Sequence, residues 1–175
     1  MVAPEQKDMV SNLLTHYRAS GQEGKDWYYV SRHEARRLAR EFNCTLSCAA
    51  GVIAAFSPRM TWKGNLTMAE RCLAKVEPLG GFATSRERAV RIREGERPLQ
   101  VLKGPKTREF YRAIMGHEDA CVIDLWMCRA AGLGKDSPTA REYEVISAAL
   151  REAAGQTTHT VAEFQAIVWT QVRRR

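Results

Sequence analysis

The sequence predicts an all-α fold, a compact helical domain of about eight or nine helices. Apolar residues recur at three- and four-residue spacing along nearly the whole chain, the period of a half-buried helix. Gly116, Gly132-Leu133-Gly134 and Gly155 fall where those runs should stop. No stretch alternates apolar and polar as a half-buried strand does. There is no internal repeat, low-complexity tract or linker, so residues 1–175 read as a single domain.

Taken in order, residues 5–20 ("EQKDMVSNLLTHYRAS") form an amphipathic helix ending at Gly21. "WYYVSRHEARRLAREF" from Trp27 puts Val30, Ala35, Leu38 and Phe42 near one face and arginines opposite. "TLSCAAGVIAAF" (Thr45–Phe56) is apolar around most of its circumference, which predicts the buried central helix, broken at Pro58. A helix around Thr61–Val76 follows, then the turn "EPLGG" and an Arg-rich helix from Ser85. In that helix Glu87 and Arg91 are spaced for an i,i+4 pair. Pro98 and Gly104-Pro105 bracket the short "LQVL", and "TREFYRAIM" and "DLWMCRAAG" come next. A helix across Ala140–Ala154 and "VAEFQAIVWTQVR" complete the chain, the last with Phe164, Ile167, Val168 and Trp169 as its packing face.

Composition narrows the function classes. At 45% hydrophobic and 27% charged, the chain is ordinary for a soluble globular protein. It has no apolar run near the roughly 20 residues needed to span a bilayer. "MVAPEQKDMV" lacks the basic start and apolar centre of a signal peptide, so the expected location is cytoplasmic. Five cysteines, Cys44, Cys48, Cys72, Cys121 and Cys128, are scattered without a CxxC pair and read as buried reduced thiols. Cys44 and Cys48 lie one turn apart but lack a second ligand pair, and the four histidines do not cluster. No metal and no cofactor is expected. The net charge of +7 is uneven: −1 over residues 1–30, +4 over 31–63, +5 over 64–115 and −1 over 116–175. A basic middle suits a polyanion partner, although surface arginines can equally be solvated. The terminal Arg173–Arg175 could add non-specific affinity of the same kind.

Two short features carry candidate chemistry. Gly104-Pro105-Lys106 makes a turn into a helix whose first N–H groups, beside Lys103 and Lys106, would form a phosphate cradle. The same tripeptide also serves an ordinary αα-hairpin with solvated lysines. Asp124 follows "ACVI" at a helix start. There it is either a plain N-cap or a carboxylate whose rotamer the helix N–H groups fix for catalysis.

Together, these stretches resemble the helix-hairpin-helix DNA glycosylases of the endonuclease III type. The counterparts are Leu102 and Gly104, then Lys106-Thr107, then "VIDLWMCR", with Lys106 and Asp124 separated by 18 positions as in that family. Upstream, "AAGVIAAFSPRMTWKGNLTMAERCL" is similar to the family's buried helix, Ser-containing loop and following helix. The resemblance covers roughly residues 45–134. Here the hairpin has "GPK" where the family usually has a second glycine before its lysine, Trp126 stands where many members have histidine, and no four-cysteine iron–sulfur motif follows.

The resemblance implies an enzyme that binds double-stranded DNA, flips a damaged or modified base and cleaves its N-glycosidic bond. Asp124 would stabilise the positive charge that builds on the sugar. Lys106 would be either an imine-forming nucleophile or a backbone-contacting charge. Arg59, in "SPRMTW", stands where the family places a residue that fills the vacated stack, or is a surface arginine after a helix-breaking proline. Lys63, Lys103, Gly104, Thr107 and Arg129 are further candidates for contacting nucleic acid, and Arg129 could instead pair with an acid. Trp62 and Trp126 would line a base pocket by stacking, or pack into the core. Relatives of this fold also resemble transferases that modify thymine side groups in viral DNA without excising the base. A non-catalytic DNA- or protein-binding module is the third reading. A monomer is expected.

Overall fold

Where the sequence predicts helices, helices form. The computed structural model describes residues 4–77 and 80–174, and among these it contains ten helices and no strand. They are α1 (Gln6–Arg18), α2 (Trp27–Glu41), α3 (Leu46–Phe56), α4 (Trp62–Leu73) and α5 (Ala83–Arg93). Then come α6 (Pro98–Val101), α7 (Pro105–Met115), α8 (Leu125–Ala130), α9 (Ala140–Ala154) and α10 (Val161–Arg173). The addition to the expected set is α6, one turn within the proline-bracketed "LQVL". Part of the "EPLGG" turn, at residues 78–79, and the last tail arginine lie outside the described residues. Among the described residues no helix is long and apolar enough to cross a membrane.

The chain divides into two compact units: Met1–Tyr28 with His117–Arg175, and Tyr29–Gly116. In the first unit, α1 contributes Met9, Val10, Leu13 and Leu14, two adjacent i,i+4 pairs that form one stripe. That stripe joins Ile123, Met127, Cys128, Ile146, Leu150, Phe164 and Val168 in one apolar cluster. Fully burying each Leu, Ile, Val, Phe or Met side chain contributes roughly 1.5–3 kcal/mol. Helices α9 and α10 both open with a reciprocal capping box, Thr139 with Glu142 and Thr160 with Glu163. Each box satisfies two N–H groups that the helix start leaves unpaired.

The second unit is built on α3. Its residues Ala49 to Phe56 are buried without interruption, as expected for a helix apolar on all sides. Gly51 sits in the middle of it. A Cβ there would lie 2.7 Å from Pro98 Cγ, so a glycine is what lets α6 settle onto α3. Helix α7 lays Phe110, Tyr111 and Ile114 into the unit's core, and the Tyr111 and Ser47 hydroxyls share a 2.9 Å hydrogen bond. It ends at Gly116 in the left-handed conformation (φ 95°). The Arg32 guanidinium lies over that glycine, 2.4 Å from where a Cβ would be. On α2, Arg37 ties the helix to α4 through a 2.7 Å pair with Glu70.

Candidate functional site

Asp124 ends an irregular segment, Ala120 to Ile123, that carries no ladder of its own. Buried backbone polar groups need partners, and here two side chains supply them. The Tyr143 hydroxyl, from α9, donates to the Cys121 carbonyl at 2.6 Å and accepts from the Ile123 N–H at 3.2 Å. The Gln165 amide oxygen, from α10, accepts from the Val122 N–H at 2.7 Å, while its nitrogen donates to the Tyr28 hydroxyl. The segment leading into Asp124 is thus held from two helices, at Cys121 and Ile123 by α9 and at Val122 by α10, before the carboxylate's own contacts are counted.

Those contacts come from two directions. Asp124 Oδ1 accepts from the N–H groups of Trp126 and Met127 at 3.0 Å each, the expected N-cap of α8. Asp124 Oδ2 accepts from Trp169 Nε1 on α10 at 2.9 Å. A carboxylate offers about four lone-pair sites, so three donors leave one open, and Asp124 remains half-buried. The oxygen pair therefore serves more than its own helix. Around it stands an aromatic and phenolic wall. Trp169 stacks on Trp27 (centroids 5.6 Å apart, 24° between planes), and Arg173 lies 4.8 Å from the Trp169 ring. Burial raises the Tyr28 hydroxyl above its ordinary pKa, and the nearby Asp124 charge raises it further. Burial first and Asp124 second push the Cys128 thiol up to about 11.

Of the other residues named from sequence, Trp126 and Arg129 also belong to this unit. Trp126 is half-buried against the apolar cluster, and Arg129 covers its ring at 5.0 Å while pairing with Asp136 at 3.2 Å. The structure brings Asp124, Trp126 and Arg129 together on α8 and its N-cap. The sequence reading passed over Tyr28, Tyr143 and Gln165 and placed Trp169 only in a packing face. Gln165 carried a usable signal, since an amide inside the apolar run "FQAIV" has to satisfy its polar atoms somewhere.

The second unit holds the rest. Residues 102–104 connect α6 to α7, and Arg108 Nη1 closes the connection by donating to the carbonyls of Leu99 (2.8 Å) and Leu102 (3.3 Å). Gly104 caps α7 with ordinary extended backbone (φ −80°, ψ 141°), so this turn does not depend on a left-handed glycine. No side chain caps α7, and Pro105 has no N–H, which leaves the N–H groups of Lys106 and Thr107 without a partner inside the helix. The Thr107 side chain is buried and its hydroxyl donates to the Gly104 carbonyl at 3.0 Å. Lys103 is exposed and Lys106 half-buried, and neither has an ion-pair partner among the described residues. Arg59 is exposed at the tip of the α3–α4 loop with φ 53°, a conformation that costs a non-glycine residue about 1–2 kcal/mol. Lys63 is exposed in the first turn of α4, and Trp62, the first residue of that helix, is half-buried. All five cysteines are free, and burial holds the Cys48 thiol up at about 12. Among the described residues no three His, Cys, Asp or Glu side chains converge as a metal site.

Comparison with known proteins returns one family. The model of a "Family of unknown function (DUF7178)" matches residues 3–175. No curated protein and no solved structure matches the chain.

Proposed function

We propose that this chain, which belongs to the DUF7178 family of unknown function, is a DNA N-glycosylase of the helix-hairpin-helix kind. On this reading it works as a cytoplasmic monomer on double-stranded DNA carrying a damaged or modified base. The observation that carries the reading is the mounting of Asp124. Three N–H donors from α8 and α10 orient the carboxylate, and it stays half-exposed beside a wall of Trp27, Tyr28 and Trp169. The indole of α10 adds an orienting contact beyond the two that capping α8 requires.

Excision requires the C1′–N bond to break with its electron pair leaving on the base, while positive charge grows on the sugar. A carboxylate fixed in advance stabilises that charge without having to reorganise. It then accepts a proton from the water that adds to C1′, and the departing base takes up a proton of its own. In the second unit, Lys63, Lys103 and Lys106 would meet the DNA backbone, with the N–H groups of Lys106 and Thr107 binding a phosphate, and Arg59 would fill the stack that the flipped base vacates. Lys106 would take an imine-forming role only if borohydride traps it as an adduct with DNA.

The test is incubation with duplexes carrying uracil, oxidised bases, or 5-hydroxymethyluracil and its derivatives. Alkali-labile abasic sites that disappear in Asp124→Asn are the expected result, with a rate loss of about 10²–10³-fold as for other removed transition-state stabilisers. A changed nucleoside mass with the sugar bond intact would replace excision by transfer to hypermodified thymine. Salt-sensitive binding with no product, indifferent to Asp124→Asn, would leave a binding module.

A further inference from the structure

Helix α2 has a face that the fold does not use. Ser31, Ala35, Leu38 and Ala39 are buried, whereas Tyr29, His33, Arg36 and Arg40 are all exposed, Tyr29 by 69%. Those four stand at i, i+4, i+7 and i+11, a single stripe rising about 16 Å along the helix. Two carboxylates on the same helix could neutralise it, but both turn to Arg37. Glu34 pairs with Arg37 at 2.9 Å and Glu41 at 2.8 Å, and Glu70 of α4 adds a third at 2.7 Å. Arg36 and Arg40 are left as like charges one turn apart, with no ion-pair partner among the described residues. Arg32, one turn earlier, is not part of that stripe: its guanidinium turns over Gly116 and its Nε is buried.

Like charges one turn apart destabilise a helix slightly, a cost that an anion bound across them would relieve. The unit as a whole points the same way. Residues 29–116 carry 17 basic and 8 acidic side chains, a net +9, so a polyanion approaches this unit down a favourable field.

We propose that the Tyr29–His33–Arg36–Arg40 stripe is a second DNA track, gripping the phosphate backbone of duplex DNA apart from the α6–α7 turn. Arg36 and Arg40 each neutralise a phosphate. His33 and Tyr29 add hydrogen bonds to phosphate or sugar, and none of the four reads base sequence. The proposal rests on DNA being the partner named above, but it needs nothing from Asp124.

The experiment measures binding of a fluorescent 20-base-pair duplex by anisotropy between 50 and 200 mM KCl. The double variant Arg36→Gln/Arg40→Gln should lower the slope of log K against log salt by about 2, since each lost phosphate contact removes about 0.9. Across that four-fold salt range its affinity should therefore change about twelve-fold less than that of the wild type. Arg36→Lys/Arg40→Lys should restore the slope, because a backbone contact needs charge more than fork geometry, and Arg151→Gln in the other unit should leave it unchanged. A wild-type slope in the Gln variant would overturn the proposal. So would absence of salt-dependent duplex binding by the wild-type protein, or polyglutamate competing as well as DNA at equal charge. Loss of the slope change together with intact, Asp124-dependent excision sinks the track alone. A normal slope change with no excision sinks the glycosylase reading alone.

Discussion

The two units of this molecule solve opposite problems with the same helices. Residues 29–116 are contiguous, strongly basic (net +9) and organised around a helix buried on every side. Their precision comes from close helix approach, as where Gly51 of α3 admits Pro98. The other unit combines the two ends of the chain, carries 10 basic and 12 acidic side chains, a net −2, and holds its key residue by polar braces from Tyr143, Gln165 and Trp169. A surface that grips a polyanion needs charge and tolerates imprecision. A carboxylate that stabilises a transient cation needs fixed orientation and few competing charges. On the proposed function, that contrast would put the gripping in one unit and the chemistry in the other.

After the loss of excision in Asp124→Asn, the largest expected effect falls on the close-packed unit. Gly51→Val drives a branched side chain into Pro98 and Ile92 and should destabilise by about 3 kcal/mol, read from the urea midpoint. Hydrogen exchange then sharpens the comparison. Protection should fall in α3, α6 and α7 and persist at the amides of Val122 and Ile123, and an equal loss at those two amides would erase the distinction between the units. Tyr143→Phe attacks the other unit. It leaves the Ile123 N–H and the Cys121 carbonyl without their side-chain partner, a cost of about 2 kcal/mol. It should also lower kcat more than it raises KM, because Asp124 loses aim while DNA is still held. A higher KM at unchanged kcat would move Tyr143 out of the positioning role.

The smallest effect concerns pH. Lys135 first, then the backbone and hydroxyl of Thr139, hold the Glu142 carboxyl down at about 2. A depressed carboxylate contributes stability that is complete above its unfolded pKa of about 4.3. That stability fades as pH falls toward 2. In acid titrations Glu142→Gln should lower stability slightly at pH 7 and flatten the curve between pH 4.5 and 2, the two proteins converging as the wild-type carboxyl is protonated. A curve parallel to the wild type would show that the capping box of α9 does not report on acid unfolding.

Much of the architecture was legible because it is local. Apolar spacing placed the helices within a few residues, "TLSCAAGVIAAF" announced the buried α3, and Gly116 ended α7 in the conformation its position suggested. The expected Glu87–Arg91 pair is present, although at 3.8 Å and in solvent it contributes little. The N-capping role of Asp124 was legible for the same reason. What escaped is non-local. Tyr143 reaches back 20 and 22 positions, Gln165 reaches 43 and 137, and Trp169 reaches 45. No periodicity encodes such pairings, and an indole that packs has the same pattern as an indole that also donates. The division into units left no breaker signal at its first boundary, which falls inside α2 with no glycine or proline to announce it, although the step from −1 over residues 1–30 to +4 over 31–63 and back to −1 from residue 116 follows it closely.

Joining the chain's ends has a consequence during synthesis. On a ribosome adding about 5–20 residues per second, the 121 residues between α1 and α9 take roughly 6–24 seconds to emerge. For most of that wait Met9, Val10, Leu13 and Leu14 lack the neighbours that cover them, of which Cys121 to Leu133 come first and α9 and α10 last, whereas the partners within residues 29–116 lie on one continuous stretch. The first helix is thus the segment most in need of a chaperone, although in the finished protein it is among the most thoroughly packed.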